Sequence, residues 1–295
     1  MFKLRRYPGN PVLRPEPNNE WESSSVFNPA IVYSNGLFHL LYRGVGVDGI
    51  SRIGYAASLD GFDFFRFNKP VFTPKLISEP RGCEDPRAVK LNGRFYVTYT
   101  AYSEKGTKIC LASTQNFISW KRLETKLSEE DDKDGALFPE KIKNKYVLFH
   151  RPTHGEPMGI WIGYSDNLSD WYGQKEVMAP LGERSWEGNK IGAGPPPVKT
   201  EKGWLLMYHG VDENGVYRAG VAMFDLEDPS KLLYRHPDPI LKPERDYEVR
   251  GKIPRVVFPC GICEVENKYY VYYGAADRVV CVAVADKKEL MKLFD

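Results

Sequence analysis

Residues 85–101 read DPRAVKLNGRFYVTYTA: a proline behind an acid, a short apolar strand, an Asn-Gly turn, and a second strand rich in aromatic residues. Asn92-Gly93 is the pair that a tight two-residue hairpin favours, because both central residues of such a turn take positive φ. The phrase recurs as NPAIVYSNGLFHLLYRG (28–44), FPEKIKNKYVLFHRP (138–152), GPPPVKTEKGWLLMYHG (194–210) and FPCGICEVENKYYVYYG (258–274). With Pro29, Pro86, Pro139, Pro196 and Pro259 as landmarks the steps are 57, 53, 57 and 63 residues, the range of propeller blades. Each hairpin is followed by a third strand: RIGYAAS (52–58), KICLAST (108–114), IWIGYSD (160–166), RAGVAMF (218–224) and VVCVAVA (279–285). A fourth, outer segment recurs as KPVFTPK (69–75), EVMAPLG (176–182) and DPILKPE (238–244), and less clearly around Leu123. The fifth copy lacks it, but NPVLRPE (10–16) has nearly its wording. The pattern predicts an all-β fold, a five-bladed β-propeller formed by one domain over residues 1–295. Its blades start near 28, 85, 138, 194 and 258, the N-terminal strand closes the last blade, and a short helical tail covers 286–295.

The chain of 295 residues is 42% hydrophobic, enough for a sizeable core. Its 41 basic and 39 acidic residues nearly cancel, so net charge recruits neither nucleic acid nor an anionic membrane. MFKLRRYPGN at the N-terminus is not followed by an apolar stretch, and no run reaches membrane-spanning length, so a soluble, cytoplasmic protein is expected. The five cysteines are odd in number and mostly embedded in apolar runs, which suits a reducing compartment. Cys260 and Cys263 form a single C-x-x-C with no second pair and no helix behind it, and read as packing residues of an inner strand rather than a metal or redox site.

In a propeller the innermost strands line a channel, so the motif starts converge at one mouth. That brings together Asn28, Glu84, Asp85 and Arg87 with Phe138, Glu140, Lys141, Gly192, Gly194 and Cys260. The ends of the second strands, Arg43, His150, Arg151 and His209, with Asp277 beyond Gly274, rim the same region. Asp85 reads either as an acid facing the channel or as the ion-pair partner of Arg87; Glu84 and Glu140 are second acids, each a base or a structural partner of a nearby cation. Arg43, Arg52, Arg87, Lys133, Arg151 and Lys190, together with His209, gather where the cavity is expected. Several cations with few uncompensated acids suit an oxyanion such as phosphate better than a water nucleophile needing a carboxylate base.

The ordered set VFNPA, LYRG, EDPR, DGALFPEKI, LFHRP, NKIGAGPPPVKTEKGWLLMYHG, VFPCG and YYGAAD, from about Asn10 to Asp286, resembles glycoside hydrolase family 130, the mannoside phosphorylases. The resemblance implies phosphorolysis of a β-mannoside with inversion, releasing α-mannose 1-phosphate. It implies Asp85 as general acid, acting through the 3-hydroxyl of the bound mannose, and Lys133, Arg151, Lys190 and His209 as phosphate ligands. Asn28, Arg43 and Asp277 fall on mannose contacts; Arg52, Glu84 and Arg87 join the expected substrate-binding set. Lys133 departs from the arginine that many relatives carry, replacing a bidentate fork by a point charge. The expected co-substrate is inorganic phosphate, with no metal or organic cofactor. Chain length and wording look closer to β-1,4-acting members; β-1,2 linkage is the alternative. Other readings are a hydrolytic β-mannosidase, a sugar-binding propeller without catalysis, and a three-acid propeller of the arabinanase type, against which Asn28 stands where an acid is needed. Loops 45–51, 152–158 and 182–189 are expected to set the acceptor subsite, and exposed aromatics in the loops permit a homo-oligomer.

Overall fold

The computed structural model of the protein describes residues 2–128, 131–154, 158–182 and 184–295. Among these, helix is confined to Glu20–Glu22, Asp246–Val249, Lys287–Met291 and Lys292–Phe294; the rest of the regular structure is β. The strands form five successive antiparallel units. The first contains Ser25–Ser34, Leu37–Val45, Ser51–Ser58 and Phe65–Arg66, and the second Gly82–Leu91, Arg94–Ser103, Gly106–Thr114 and Trp120–Leu123. A single parallel bridge, Ser51 to Gly82, joins these two into one sheet. The third contains Asp132–Leu137, Tyr146–Pro152, Ile160–Ser165 and Trp171–Met178. In the fourth, Lys190–Ala193 and Val198–Thr200 both pair with Gly203–Val211, followed by Tyr217–Phe224 and Leu232–Arg235. Pro195, Pro196 and Pro197 interrupt that innermost strand because proline has no N–H for the ladder.

The fifth unit, Val257–Val265, Lys268–Ala275 and Val279–Asp286, takes its outer strand from Arg5–Arg6, with Arg5 opposite Val284. The phrase at 10–16 is therefore not the strand itself: Leu13 makes one bridge to Val280, as Phe72 does to Ile53 and Leu241 to Ala219. Prolines at both ends of these phrases limit them to isolated bridges, and the outer strand lies just upstream. Neighbouring units pack in order: Ser25–Ser34 contacts Gly82–Leu91 and Val257–Val265, Asp132–Leu137 contacts Gly82–Leu91 and Lys190–Ala193, and the second strand of the fourth unit, Gly203–Val211, contacts Val257–Val265. At the C-terminus, Asp286 accepts from the Glu289 N–H at 3.1 Å and caps Lys287–Met291, whose Leu290 is buried.

In the first three units the first strand bulges at one place, with the ladder shifting between Phe27 and Ala30, between Glu84 and Arg87, and between Lys133 and Ala136; the fifth shifts at the matching place, between Pro259 and Gly261, with Cys260 as its unpaired residue. The extra residues of the first three, Asn28, Asp85 and Asp134, have φ of 47°, 48° and 59°, left-handed conformations that Asn and Asp tolerate better than most side chains. The third unit thus begins at Asp132 rather than near 138, and the fourth at Lys190 rather than 194. Pro139 is a misleading landmark, since Gly135 occupies the place of Pro29 and Pro86, and Phe138 packs in the core against Phe149 and Trp204.

A buried Glu–Tyr–Arg cluster recurs in four units, each uniting the loop before the first strand, the second strand and the outer strand. The sets are Glu22–Tyr42–Arg66, Glu79–Tyr99–Arg122, Glu187–Tyr208–Arg235 and Glu248–Tyr273–Arg6. Tyr42, Tyr99 and Tyr273 donate to their glutamates at 2.7, 2.6 and 2.9 Å. The arginines pair with them at 3.2, 3.0, 2.7 and 2.7 Å for Arg66, Arg122, Arg235 and Arg6. The third unit replaces the tyrosine by His150, whose Nδ1 lies 2.8 Å from Asp132 Oδ2.

Removing one member strands a buried charge. Glu22→Ala is expected to destabilise the protein by roughly 3–5 kcal/mol, while Tyr42→Phe costs about 1–2 kcal/mol. Chemical denaturation of the two variants checks this order; equal losses would contradict it.

Candidate active site

The bulges and the ends of the second strands open onto a cavity of about 240 Å³. Asn28, Arg43, Asp85 and Asp277 line it from the first, second and fifth units; Lys133, Asp134, Arg151, Lys190 and His209 line it from the third and fourth. Tyr217, Ile253, Val256 and Phe258 supply its apolar wall. One half is thus rich in carboxylate and the other in cations. A larger depression of about 550 Å³ beside Arg14 and Tyr247 contains none of the candidate residues.

In the acidic half, Asp85 Oδ1 accepts from Asn28 Nδ2 at 2.9 Å and from Arg43 Nη1 at 3.3 Å. No protein donor reaches Asp85 Oδ2 among the described residues. Arg43 Nη2 also reaches Glu84 Oε1 at 2.6 Å, its Nε donates to Ser51 Oγ at 2.9 Å, and its guanidinium lies 4.7 Å over the Phe27 ring. Lys133 Nζ is 3.9 Å from Glu84 Oε2. Burial, reinforced by the negative charge of Asp85, pushes the Asp277 carboxyl up to about 6, against the pull of Arg43 and Lys252.

The basic half is organised by Asp134, which the sequence reading missed. Arg151 Nε reaches its Oδ2 at 2.7 Å and Arg87 Nη2 its Oδ1 at 2.9 Å. Burial works to raise the Asp134 pKa, but Arg151 and Arg87 outweigh it and hold the carboxyl well below the usual range. His209 Nε2 lies 3.6 Å from Asp134 Oδ2, and the imidazole stacks on Phe258 with centroids 4.3 Å apart. Both ring nitrogens of His209 are buried without a hydrogen-bond partner among the described residues. Burial, helped by the charges of Arg151, Arg87 and Lys190, lowers the His209 pKa to about 3, so the free protein holds a neutral imidazole at neutral pH. Lys190 Nζ lies 5.2 Å over the Tyr217 ring.

Other expected residues fall elsewhere. Arg87 is not a cavity wall and does not pair with the Asp85 carboxylate; it donates to the Asp85 carbonyl at 3.2 Å and to those of Gly194 and Ala193 at 2.6 and 3.1 Å. Arg52 is held by Asp48 at 2.7 Å outside the cavity, because a turn of four residues brings that acid back to it. Glu84 is spent on Arg43, Ser51 and Lys133. Glu140 is paired with Lys199 at 2.6 Å on an exposed surface, and Lys141 lies over Tyr146, since both follow the strand instead of starting it. Cys260 and Cys263 are buried free thiols whose pKa values burial raises. Residues 155–157 and 183 of the expected acceptor loops lie outside the described residues.

A family model described as β-1,4-mannooligosaccharide phosphorylase matches residues 3–295. The chain is 46% identical to a 1,2-β-oligomannan phosphorylase of Thermoanaerobacter sp. (strain X514) over 300 residues, covering 98% of this chain and 99% of that one. It is 45% identical to a β-1,2-mannobiose phosphorylase of the same organism, again over 98% and 99%. The solved structure of a Listeria innocua β-1,2-mannobiose phosphorylase with β-1,2-mannobiose superposes with a TM-score of 0.89, 28% identity and 98% coverage of each chain.

The raised Asp277 pKa makes this residue a cost to the fold. A carboxyl lifted in the folded state loses stability as pH rises from its ordinary value through about 6, so the penalty is complete above that. Asp277→Asn is expected to stabilise the protein by roughly 1–3 kcal/mol at mildly alkaline pH, with the gain shrinking near pH 4. Melting temperatures across pH read this directly; a pH-independent difference would contradict it.

Proposed function

The chain belongs to glycoside hydrolase family 130, the mannoside phosphorylases, and from that premise we propose that it acts on β-1,2-linked mannosides, releasing α-mannose 1-phosphate with inversion. The observation that carries the chemistry is the division of one cavity into an acidic and a basic half. An inverting displacement needs an acid near the leaving group and a nucleophile on the opposite face of the sugar. Asp85, with one carboxylate oxygen free of protein donors, serves as the acid, relaying its proton through the mannose 3-hydroxyl. Asn28, Arg43 and Asp277 hold the mannose; Lys133, Arg151, Lys190 and His209 hold phosphate, which is already anionic and needs no carboxylate base.

The preference for β-1,2 over the β-1,4 linkage favoured by the wording of the sequence rests on two relatives with names of β-1,2 activity, at 46% and 45% identity over nearly full length. Against hydrolysis, Glu84 is engaged by Arg43 and Lys133, and Glu140 by Lys199, so neither is free to activate water. We also propose that the five units close as a single five-bladed propeller. Its support is the neighbour order of the units and the N-terminal strand on the fifth sheet. Inorganic phosphate is the co-substrate, with no metal or organic cofactor.

The test is release of mannose 1-phosphate from β-1,2-mannobiose, β-1,2-mannotriose and β-1,4-mannobiose, with and without phosphate. Product is expected only with phosphate and mainly from the β-1,2 substrates. Asp85→Asn should lower kcat by roughly 10²–10⁴-fold, whereas Lys190→Ala should chiefly raise KM for phosphate. Free mannose formed equally well without phosphate would replace phosphorolysis by hydrolysis, and a preference for β-1,4-mannobiose would restore the other linkage.

A further inference from the structure

Phosphate brings one or two negative charges into this cavity, and buried charge is stabilised when a proton or cation accompanies it. The geometry offers a place for such a proton. His209 is fully buried on the cavity wall, and neither ring nitrogen has a partner among the described residues. Unpaired buried polar atoms are costly and call for an explanation. The charged groups that act on the ring are Asp134 and Arg151 from the third unit, Arg87 from the second and Lys190 from its own. Tyr217 and Phe258 stack on it. Asp134 is the only anion in this set, 3.6 Å from Nε2.

Building on the phosphate site proposed above, we propose that phosphate binds together with one proton, which resides on His209, and that Asp134 is the positioning residue that holds the resulting imidazolium. Dihydrogen phosphate entering the cavity gives up its proton: the O–H bond breaks, an N–H bond forms on the imidazole, and hydrogen phosphate dianion remains as the nucleophile. When the dianion itself enters, the proton comes from solvent. In either case a movement of about 0.7–0.9 Å turns the Nε2 to Asp134 contact into a charge-assisted hydrogen bond. The second ring nitrogen is then a donor for the anion. The neutral imidazole of the free protein fits this role, because the added anion offsets the field of Arg151 and Lys190 that disfavours protonation.

The experiment is calorimetric titration of the intact protein with inorganic phosphate and, separately, with sulfate, in buffers of different ionisation enthalpy at mildly alkaline pH. Sulfate carries no titratable proton there, so any uptake belongs to the protein. About one proton taken up per anion is expected for both ligands, falling to near zero in His209→Gln, which should bind several-fold more weakly. Histidine ring 15N resonances should show one residue passing from the neutral to the imidazolium pattern on adding phosphate, and that signal should be missing from His209→Gln. Asp134→Asn should reduce the uptake; if it fails to fold, the His209→Gln comparison still decides. Phosphate bound without proton uptake, or uptake that survives in His209→Gln, overturns the proposal and leaves the phosphate site standing. Failure of phosphate to bind, alone or with mannose present, overturns the phosphate site as well.

Discussion

A carboxylate between two guanidinium groups, Asp134 between Arg87 and Arg151, is the interaction on which the centre of this molecule depends. The Asp134 and Arg87 side chains are almost completely buried, and an isolated charge there would cost several kcal/mol. The cost is offset because every charge has partners: Arg87 uses its remaining donors on the carbonyls of Gly194 and Ala193. One network therefore ties the second, third and fourth units together, and it also fixes Arg151 and faces His209. Asp134, which lines the cavity, is thus also part of the joint between sheets.

Around this network the fold accepts local costs where the chemistry needs them. Asp85, Glu84 and Asp277 crowd negative charge on one side, and the raised Asp277 pKa records the price of that arrangement. His209 is kept neutral in a cationic setting. The Glu–Tyr–Arg clusters, placed in the sheets away from the cavity, act in the opposite sense by closing the outer strands onto the loops above. Stability and function thus draw on different residues of the same repeat.

Repetition also explains how one set of positions yields two halves of a site. In each unit a residue near the end of the second strand pairs with the first strand just before its bulge or at the equivalent place. Those residues are Arg43, Thr100, Arg151, His209 and Gly274, opposite Phe27, Glu84, Lys133, Gly192 and Phe258. The bulge supplies Asn28, Asp85 and Asp134 in turn. The backbone is repeated and the chemistry is not.

Strand phrases, turn residues and their period were legible along the chain because hairpin geometry is local: Asn-Gly turns and alternating apolar positions carry their own physical reasons. Asp85, Lys133, Arg151, Lys190, His209, Asn28, Arg43 and Asp277 could be gathered from the repeat, and the structure brings them to one cavity. Asp134 was hidden because alignment on Pro139 displaced the third unit, although the pairing of Asp134 with Gly135 at the bulge resembles Asp85 with Pro86. The clusters built on Glu22 and Glu79, each six residues before a bulge, leave a faint trace that gains meaning only when their arginines are seen to return from outer strands. Arg52 and Arg87 show the limit most plainly. Sequence places both near the site, yet one is claimed by Asp48 and the other by Asp134. Sequence determined where the strands run and which charges come near the centre. Only the tertiary structure decided which charge neutralises which, because ion pairing depends on distances of a few ångströms between residues tens of positions apart.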